Sequence, residues 1–470
     1  MMKGDCVMKR FIALLLLLSL VAGLWSTAAM QSNEPITLEY MYNGVIDFAP
    51  AKAAFEAMYK EKTGIDVTIE VTSSPGDDWM DVLKTAVAAG GGPDVWHMDV
   101  NWFSAWKDVV IQPISDYLGT DLFQEYSANG IDLWKADDKY YALPITYSVV
   151  AMLYNVDLAK EIGIEVKEDW TFEDFEAAVE KAGAYLQGKT VKYTDGQEYP
   201  YYVIGHYHTM YFWWLLLGPY GGTALADTNN IAQKAFADAI LKMSEWRSKG
   251  WIWRRAEVQP GGTQPAFSDA LNVLFWPTGD WTITGLTRQV LGIESDPLPV
   301  KVNYASVQMP SGPDGKPHSE IYNQGVVMNK NLTGAKAQAA AEFIKYLTND
   351  AWDELFGRSA HNYSLPGRID WMEQYPSWLQ NPAHGKGFLD TLDHGVVHSP
   401  DYNAGGIDLT AGVQEAVEVA FRKVDETPGT FDSDAVYKVI VETLEAQQGL
   451  INVQLLENDI QLDNPDGKLK

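Results

Sequence analysis

The sequence predicts an α/β fold whose sheet is largely parallel and covered on both faces. Three observations between residues 36 and 99 carry this expectation. Strand-like and helix-like segments alternate. The segment IDVTIEV sets Ile65, Val67, Ile69 and Val71 against polar residues at every second position. The helical segments carry their own end signals. Strands joined by helices need right-handed crossovers, and these give parallel pairing.

Taken in order, ITLEYMY is the first strand and PAKAAFEAMYKEKTG the first helix, with Pro50 in its first turn and Gly64 as its C-cap. IDVTIEV follows, then the helical DDWMDVLKTAVAAGGG, which stops at glycines, then the strand PDVWHMDV. Ligands of such sheets lie beyond the carboxyl ends of the strands, here residues 42–44 and 99–102. WTFEDFEAAVEKA is an amphipathic helix with Phe172, Phe175, Val179, Ala182 and Leu186 in one stripe and Thr171 with Asp174 as a capping box. The adjoining GAYLQGKT (183–190) fits the phosphate-loop pattern letter for letter. Its order is helix–glycine–strand, the reverse of what a phosphate cradle needs. Gly183 falls inside the helix, away from the apolar stripe, and Gly188 ends it, with Lys189 at the negative end of the dipole. VKYTDGQEYPYYVI then reads as a hairpin turning at Asp195-Gly196.

Further on, GVVMN (325–329) reads as a strand and GAKAQAAAEFIKYLTND as a helix, with two more helices at about 410–424 and 432–457. There is no internal repeat or low-complexity tract. Joints rich in Pro and Gly fall at 259–265, 310–317 and 395–406, and none is a long linker. The parts of the chain must therefore be closely connected.

The 470 residues suffice for two or three domains, and 46% hydrophobic with 21% charged residues is an ordinary globular composition. Asp and Glu outnumber Lys and Arg by 63 to 35, a formal charge of −28. Such a surface repels phosphate backbones, so no nucleic-acid partner is expected. At the N-terminus, KR is followed by FIALLLLLSLVAGLW and then STAAM. This is a secretory signal over residues 1–29, cleaved near Ala29, with a retained membrane anchor as the other reading. The protein is expected across the cytoplasmic membrane, either periplasmic or extracellular and membrane-associated. The single cysteine, Cys6, precedes the apolar run, so the mature chain has neither a disulfide nor a cysteine for lipid attachment.

Six stretches in order resemble the extracellular solute-binding proteins of ABC transporters, in the sugar-binding family 1 that includes maltose-binding protein. They are FEAMYKEKTGIDVTIE, VLKTAVAAGGGPDVWHMDVNWFSAW, KADDKYYALPITYSVVAMLYNVDLAKEIGI, DWTFEDFEAAVEKA, FSDALNVLFWPTGDWTI and GVVMNKNLTGAKAQAAAEFIKYLTND. The resemblance implies a periplasmic-binding-protein-like fold of two α/β lobes with a ligand cleft and multiple hinge crossings. The first crossing would fall at 144–148 and the second near 322–327. One lobe would combine 31–146 with 325–360, and the other 147–324 with 361–470. It also implies hinge closure around a carbohydrate, recognition by ABC transporter permease subunits, a separate ATPase and no cofactor. A monomer is the default, because a hinged receptor presents both lobes to its membrane partner.

A sugar cleft needs flat aromatic faces for the C–H surfaces of the ring, and amides, carboxylates and hydroxyls for its hydroxyl groups. With 17 Trp, 24 Tyr and 16 Phe the first kind is plentiful, and position must separate ligand residues from core. Trp281 follows a Gly-Asp turn, where the family's tryptophan lies against the sugar. Trp276 lies five residues earlier, at the end of LNVLFW. Asn101 and Trp102 follow a parallel strand, and Asp99 either accepts hydroxyl hydrogen bonds or caps the next turn. Tyr42 and Asn43 end the first strand, and the Asn amide can both donate and accept. Tyr147 and Ser148 lie at the first crossing; one family branch has a carboxylate at the position of Ser148, so a different hydroxyl pattern is read. Trp213 and Trp214 cannot both face a core, which makes Trp214 a cleft candidate, with Tyr220 and Gly222 in a loop beneath it. Asn323 and Gln324 precede the second crossing. His361 and Tyr363 lie in a polar segment before Pro366.

Enzyme and metal readings have less behind them. H-E-x-x-H and G-x-S-x-G are missing, SAWK (104–107) lacks the companions of an S-x-x-K motif, and HYH (206–208) has no third ligand at useful spacing. The expected function is capture of a neutral oligosaccharide for an ABC importer. The alternatives are a secreted carbohydrate-active enzyme, or a receptor for an acidic sugar or another polyol, for which Arg254 and Arg255 are the candidate partners.

Overall fold

The computed structural model describes residues 34–42, 47–73, 79–107, 109–205, 215–222, 234–252, 263–280, 282–283, 286, 300–352, 355, 365–368, 382–398, 403–404, 407–408 and 410–446. The expectations for the leader 1–29, Asn43, Trp213, Trp214, Arg254, Arg255, Trp281, His361 and Tyr363 lie outside these residues, as does the side chain of Asn101. Among the described residues no helix is long and apolar enough to cross a membrane.

The chain begins with β1 (Ile36–Tyr42), α1 (Ala49–Thr63), β2 (Val67–Ser73), α2 (Trp79–Ala88) and β3 (Val95–Asp99). β1 pairs in parallel with both β2 and β3. α1 ends at Gly64, whose φ of 76° is the left-handed cap that glycine adopts without strain. β4 (Ala142–Asn155) is at least twice the length of each of β1, β2 and β3, and is followed by α3 (Val156–Ile162), α4 (Phe172–Leu186), β5 (Tyr202–Ile204) and α5 (Lys234–Ser248). Then come β6 (Val273–Gly279), β7 (Tyr304–Val307), β8 (His318–Met328) and α6 (Gly334–Thr348). The C-terminal part supplies β9 (Leu365–Pro366), α7 (Pro382–His394), β10 (Val396–His398), α8 (Thr410–Glu426) and α9 (Ser433–Ala446).

The sheet order is β2–β1–β3–β8–β4–β6–β5, with β7 and β9 also on β4 and β10 on β8. Two strands organise it. β4 pairs with β8 through its first half and with β6 and β7 through its second. β8 pairs with β3 at one end and with β10 at the other. The second strand is therefore longer than GVVMN, because its polar first half also finds ladder partners.

The cores divide along these strands. Leu38, Phe55, Ile69, Leu143, Val326 and Phe343 belong to one cluster, built from β1–β3, α1, α6 and the start of β4. Met152, Phe175, Ile240, Phe275, Val417 and Ile440 belong to another, built from the end of β4 with α4, α5, α8 and α9. An ion pair of Arg247 and Asp425 at 2.9 Å ties α5 to α8.

α4 carries the expected capping box. Asp174 N donates to Thr171 Oγ1 at 3.2 Å, and Thr171 N donates to Asp174 Oδ2 at 3.4 Å. One expectation is corrected. Gly183 is not on an idle face: it is buried, and a Cβ there would lie 2.1 Å from Cε2 of Trp251. Glycine lets the indole lie on the helix backbone. The segment 183–189 lines a cavity of about 550 Å³ with Lys249 and Trp251. The ends of α4 and α5 meet there, and these are C-termini, which do not attract phosphate.

Candidate functional site

The alternation of a strand sends neighbouring side chains to opposite faces, and residues directly opposite on paired strands share a face. Gln324 of β8 lies opposite Asp99 of β3 on one side and Thr146 of β4 on the other. The three form a polar row across three strands, each partly exposed. The next register positions are Tyr322 and Ser148, and Glu320 lies two residues further along the same face of β8. Ser148 and Glu320 are buried.

A bulge sets this up. The β4–β8 register shifts between Gln324, opposite Thr146, and Gly325, opposite Pro144, so Ile145 has no partner. Its carbonyl instead accepts from Trp352 Nε1 at 2.8 Å. A one-residue slip exchanges the faces of a strand, and bulges re-aim side chains in this way.

Asp99 ends β3 before the 3-10 turn Val100–Trp102. Its carboxylate makes no capping bond to that turn, which removes the capping alternative and leaves it facing Gln324. Burial pushes the Asp99 carboxyl up to about 6, against a hydrogen bond from the Gln324 side chain that favours the charged form. Trp102 is half-buried, 6.2 Å from Trp106, with the Lys84 ammonium 4.0 Å from its ring centroid. Behind Asp99, His97 contacts the Tyr40 hydroxyl at 2.5 Å, and burial lowers its pKa to about 3. His97 is thus a neutral structural group.

The other candidates are placed differently. Tyr42 shares the Asp99 side of the sheet but is buried, its ring 4.4 Å from Phe48. Tyr147 and Asn323 face each other on the opposite face and are fully enclosed. The Tyr147 hydroxyl donates to Ser127 O at 3.2 Å, and Asn323 Nδ2 donates to Gly130 O at 2.9 Å. A Cβ on Gly130 would overlap the Tyr147 ring, so glycine is required at that contact. Trp276 is buried 5.5 Å from Phe267, on the Tyr147 side of the sheet. Tyr220 packs 5.6 Å from Phe172 in the helical layer, where burial raises its hydroxyl to about 12, and Gly222 lies against Leu217. In this form Tyr147, Asn323, Trp276, Tyr220 and Gly222 are packing residues, outside the Asp99 row.

Thr146, Glu320 and Lys84 were not singled out by sequence. Thr146 becomes visible once the two long strands are paired through Gln324; Lys84 carries no local signal. The row assembles a carboxyl, an amide and a hydroxyl, with the Ser148 hydroxyl at the next position, whereas Trp102 packs against the cluster of Trp96 and Met98 on the other face of the sheet. The polar groups of the row can hold vicinal hydroxyls. Among the described residues no cluster of three side chains suits a metal ion.

Residues 43–354 match the family model described as bacterial extracellular solute-binding protein. Over 128 residues the chain is 27% identical to the maltotriose-binding protein of Pyrococcus abyssi, an alignment spanning 27% of the length of each. Among solved structures, an ABC substrate-binding protein of Listeria monocytogenes in complex with cycloalternan superposes with a TM-score of 0.63 at 16% identity, covering 89% of this chain and 99% of that one. UgpB of Mycobacterium tuberculosis in complex with glycerophosphocholine superposes with a TM-score of 0.62 at 14% identity, covering 90% and 99%. At these identities the likeness concerns the fold.

Proposed function

The chain belongs to the family of bacterial extracellular solute-binding proteins, and from that premise we propose that it is a receptor outside the cytoplasmic membrane that captures a neutral oligosaccharide and delivers it to an ABC importer. Its partners are then the permease subunits of that importer, which has a separate ATPase, and it acts as a monomer. The lobes are 31–146 with 325–360, and 147–324 with 361–470. The separate cores on either side of the β4–β8 crossing support this division.

The observation that carries the reading is the Asp99–Gln324–Thr146 row, in which Gln324 and Thr146 sit on the two strands that run from one core into the other. Polar groups at such a junction offer hydroxyl partners, and rigid-body closure would bring the second lobe over them. The relatives reinforce the ligand class, since one is a maltotriose-binding protein and one structure holds cycloalternan. Membership of a binding-protein family supports reading the chain as a receptor.

A second reading has one observation behind it. The Lys84 ammonium over Trp102 suits a sugar bearing an acid group. A thermal-shift screen of neutral and acidic oligosaccharides, followed by product analysis, separates the possibilities. Stabilisation by neutral sugars that are recovered intact supports the proposal. Stabilisation by acidic sugars alone moves it to the second reading, and turnover to new products overturns it.

A further inference from the structure

The short segment 365–368 is fastened at both ends. At one end Leu365 pairs with Tyr147 and Pro366 with Thr146 on β4, and Leu365 N donates to Asp280 Oδ2 at 2.9 Å. Asp280 is completely buried, directly after β6, in the part of the chain whose core is built on the second half of β4. At the other end Arg368 Nη1 meets Glu125 Oε2 at 2.7 Å and its backbone bridges to Tyr126, whose ring belongs to the first core. Gly367 N adds a bond to Ile145 O at 3.4 Å, at the bulge.

A buried carboxylate is costly unless it is hydrogen-bonded. Asp280 satisfies part of that need with a backbone amide of a different segment. An amide to carboxylate bond is of the stronger, charge-assisted kind. The strap thus joins the end of β6 to the Glu125–Tyr126 turn through one carboxylate and one guanidinium. Its middle lies beside Thr146, a member of the polar row.

We infer that Asp280 is a positioning residue for ligand capture: it fixes the 365–368 strap within the second lobe, so that the pairing of Arg368 with Glu125 of the first lobe limits how far the lobes separate. This deepens the receptor reading and rests on it for the meaning of lobe movement. Asp280 touches no ligand in this account. It acts by restricting the open ensemble, so that a larger share of molecules is competent to close.

The test uses Asp280→Ala, Asp280→Asn and Arg368→Gln in a full-length background carrying Ala57→Cys on α1 and Ala177→Cys on α4, both exposed positions, with Cys6→Ser. Spin-label distance distributions are recorded without sugar, and exchange of the Leu365 amide is followed in the same proteins. Asp280→Ala is expected to broaden the distance distribution and speed Leu365 exchange at least tenfold. Arg368→Gln should broaden the distribution similarly, while Asp280→Asn, which keeps an acceptor oxygen, should stay near wild type. With a stabilising sugar from the screen, Asp280→Ala should weaken binding at least threefold. A folded Asp280→Ala protein with unchanged distribution and unchanged Leu365 exchange overturns the inference. If Asp280→Ala does not fold, an unchanged distribution in Arg368→Gln overturns it. Both readouts are made without ligand, so failure to find any sugar would count against the receptor reading alone.

Discussion

Substituting Asn for Asp99 removes the charge from the polar row while leaving an oxygen for the Gln324 amide. In the folded protein the Asp99 carboxyl titrates near 6, against 3.8 for the free side chain. Between those pH values the native state keeps a proton that the unfolded chain has lost. Wild-type stability therefore falls as pH rises through this window, and the penalty is complete above about pH 6. At about 1.4 kcal/mol per unit, the roughly two-unit gap amounts to about 3 kcal/mol. Partial exposure of Asp99 reduces what Asn recovers, to roughly 1–3 kcal/mol. Urea unfolding of both proteins, followed by tryptophan fluorescence from about pH 4 to about pH 7.5, measures it. The curves should coincide at the acid end and separate with rising pH, Asp99→Asn being the more stable at neutrality. Its affinity for a stabilising oligosaccharide should fall at least tenfold, as expected where a binding group is held against stability. A difference that does not vary with pH, or a variant less stable than wild type at neutrality, would refute the desolvated carboxylate.

His97 carries the opposite sign: with its pKa lowered from 6.5 to about 3, its contribution is intact above about 6.5 and declines as the solution is acidified. By about pH 4.5 wild type should have lost roughly 3 kcal/mol through this group, and His97→Gln should show a flatter acid limb in the same urea series. Gly183→Ala forces a methyl group into Trp251 and should cost about 1–3 kcal/mol by calorimetry; a neutral substitution would contradict the packing. Trp281→Ala is expected to weaken carbohydrate binding by roughly 2 kcal/mol in titration calorimetry, with Trp276→Ala instead lowering the unfolding temperature. ATP at millimolar concentration should leave the melting temperature unchanged, since 183–190 ends a helix.

The repeating βα units were legible because their signals are local: alternation in IDVTIEV, Pro50 and Gly64 around α1, the Thr171–Asp174 box of α4. The end of β3 was also legible from sequence, and Asp99 and Gln324, both named from sequence, fall opposite each other there. What one sequence does not contain is the pairing of residues far apart along the chain. Tyr147 and Ser148 look equivalent at a crossing, yet the register with β8 and the bulge at Ile145 send one into packing and the other to the polar face. Trp276 and Tyr220 are aromatic in the right neighbourhood, but their faces are decided by Phe267 and Phe172. Lys84 reaches Trp102 only through the packing of α2 beside the turn after β3.

The register that builds the row also limits how the lobes can move. On the back of β4 and β8, Tyr147 and Asn323 grip residues 127–130, with the tyrosine ring seated where Gly130 lacks a side chain. Sliding β4 past β8 by one residue would turn Tyr147 into the cleft and bury Thr146 among apolar groups, losing both the grip and the row. On the two-lobed reading, closure must therefore bend these strands with their pairing intact. The ladder is weakest where it is already interrupted, at Ile145 opposite the Gln324–Gly325 step. That step adjoins Thr146 and contains Gln324, so the residues proposed to hold the sugar lie at the pivot itself. Deleting Ile145 would restore continuous pairing while leaving Thr146 opposite Gln324 and Pro144 opposite Gly325, so the polar row would keep its face as the interruption disappears. On the two-lobed reading that deletion separates bending from binding: it should stiffen the ladder while the row stays in register.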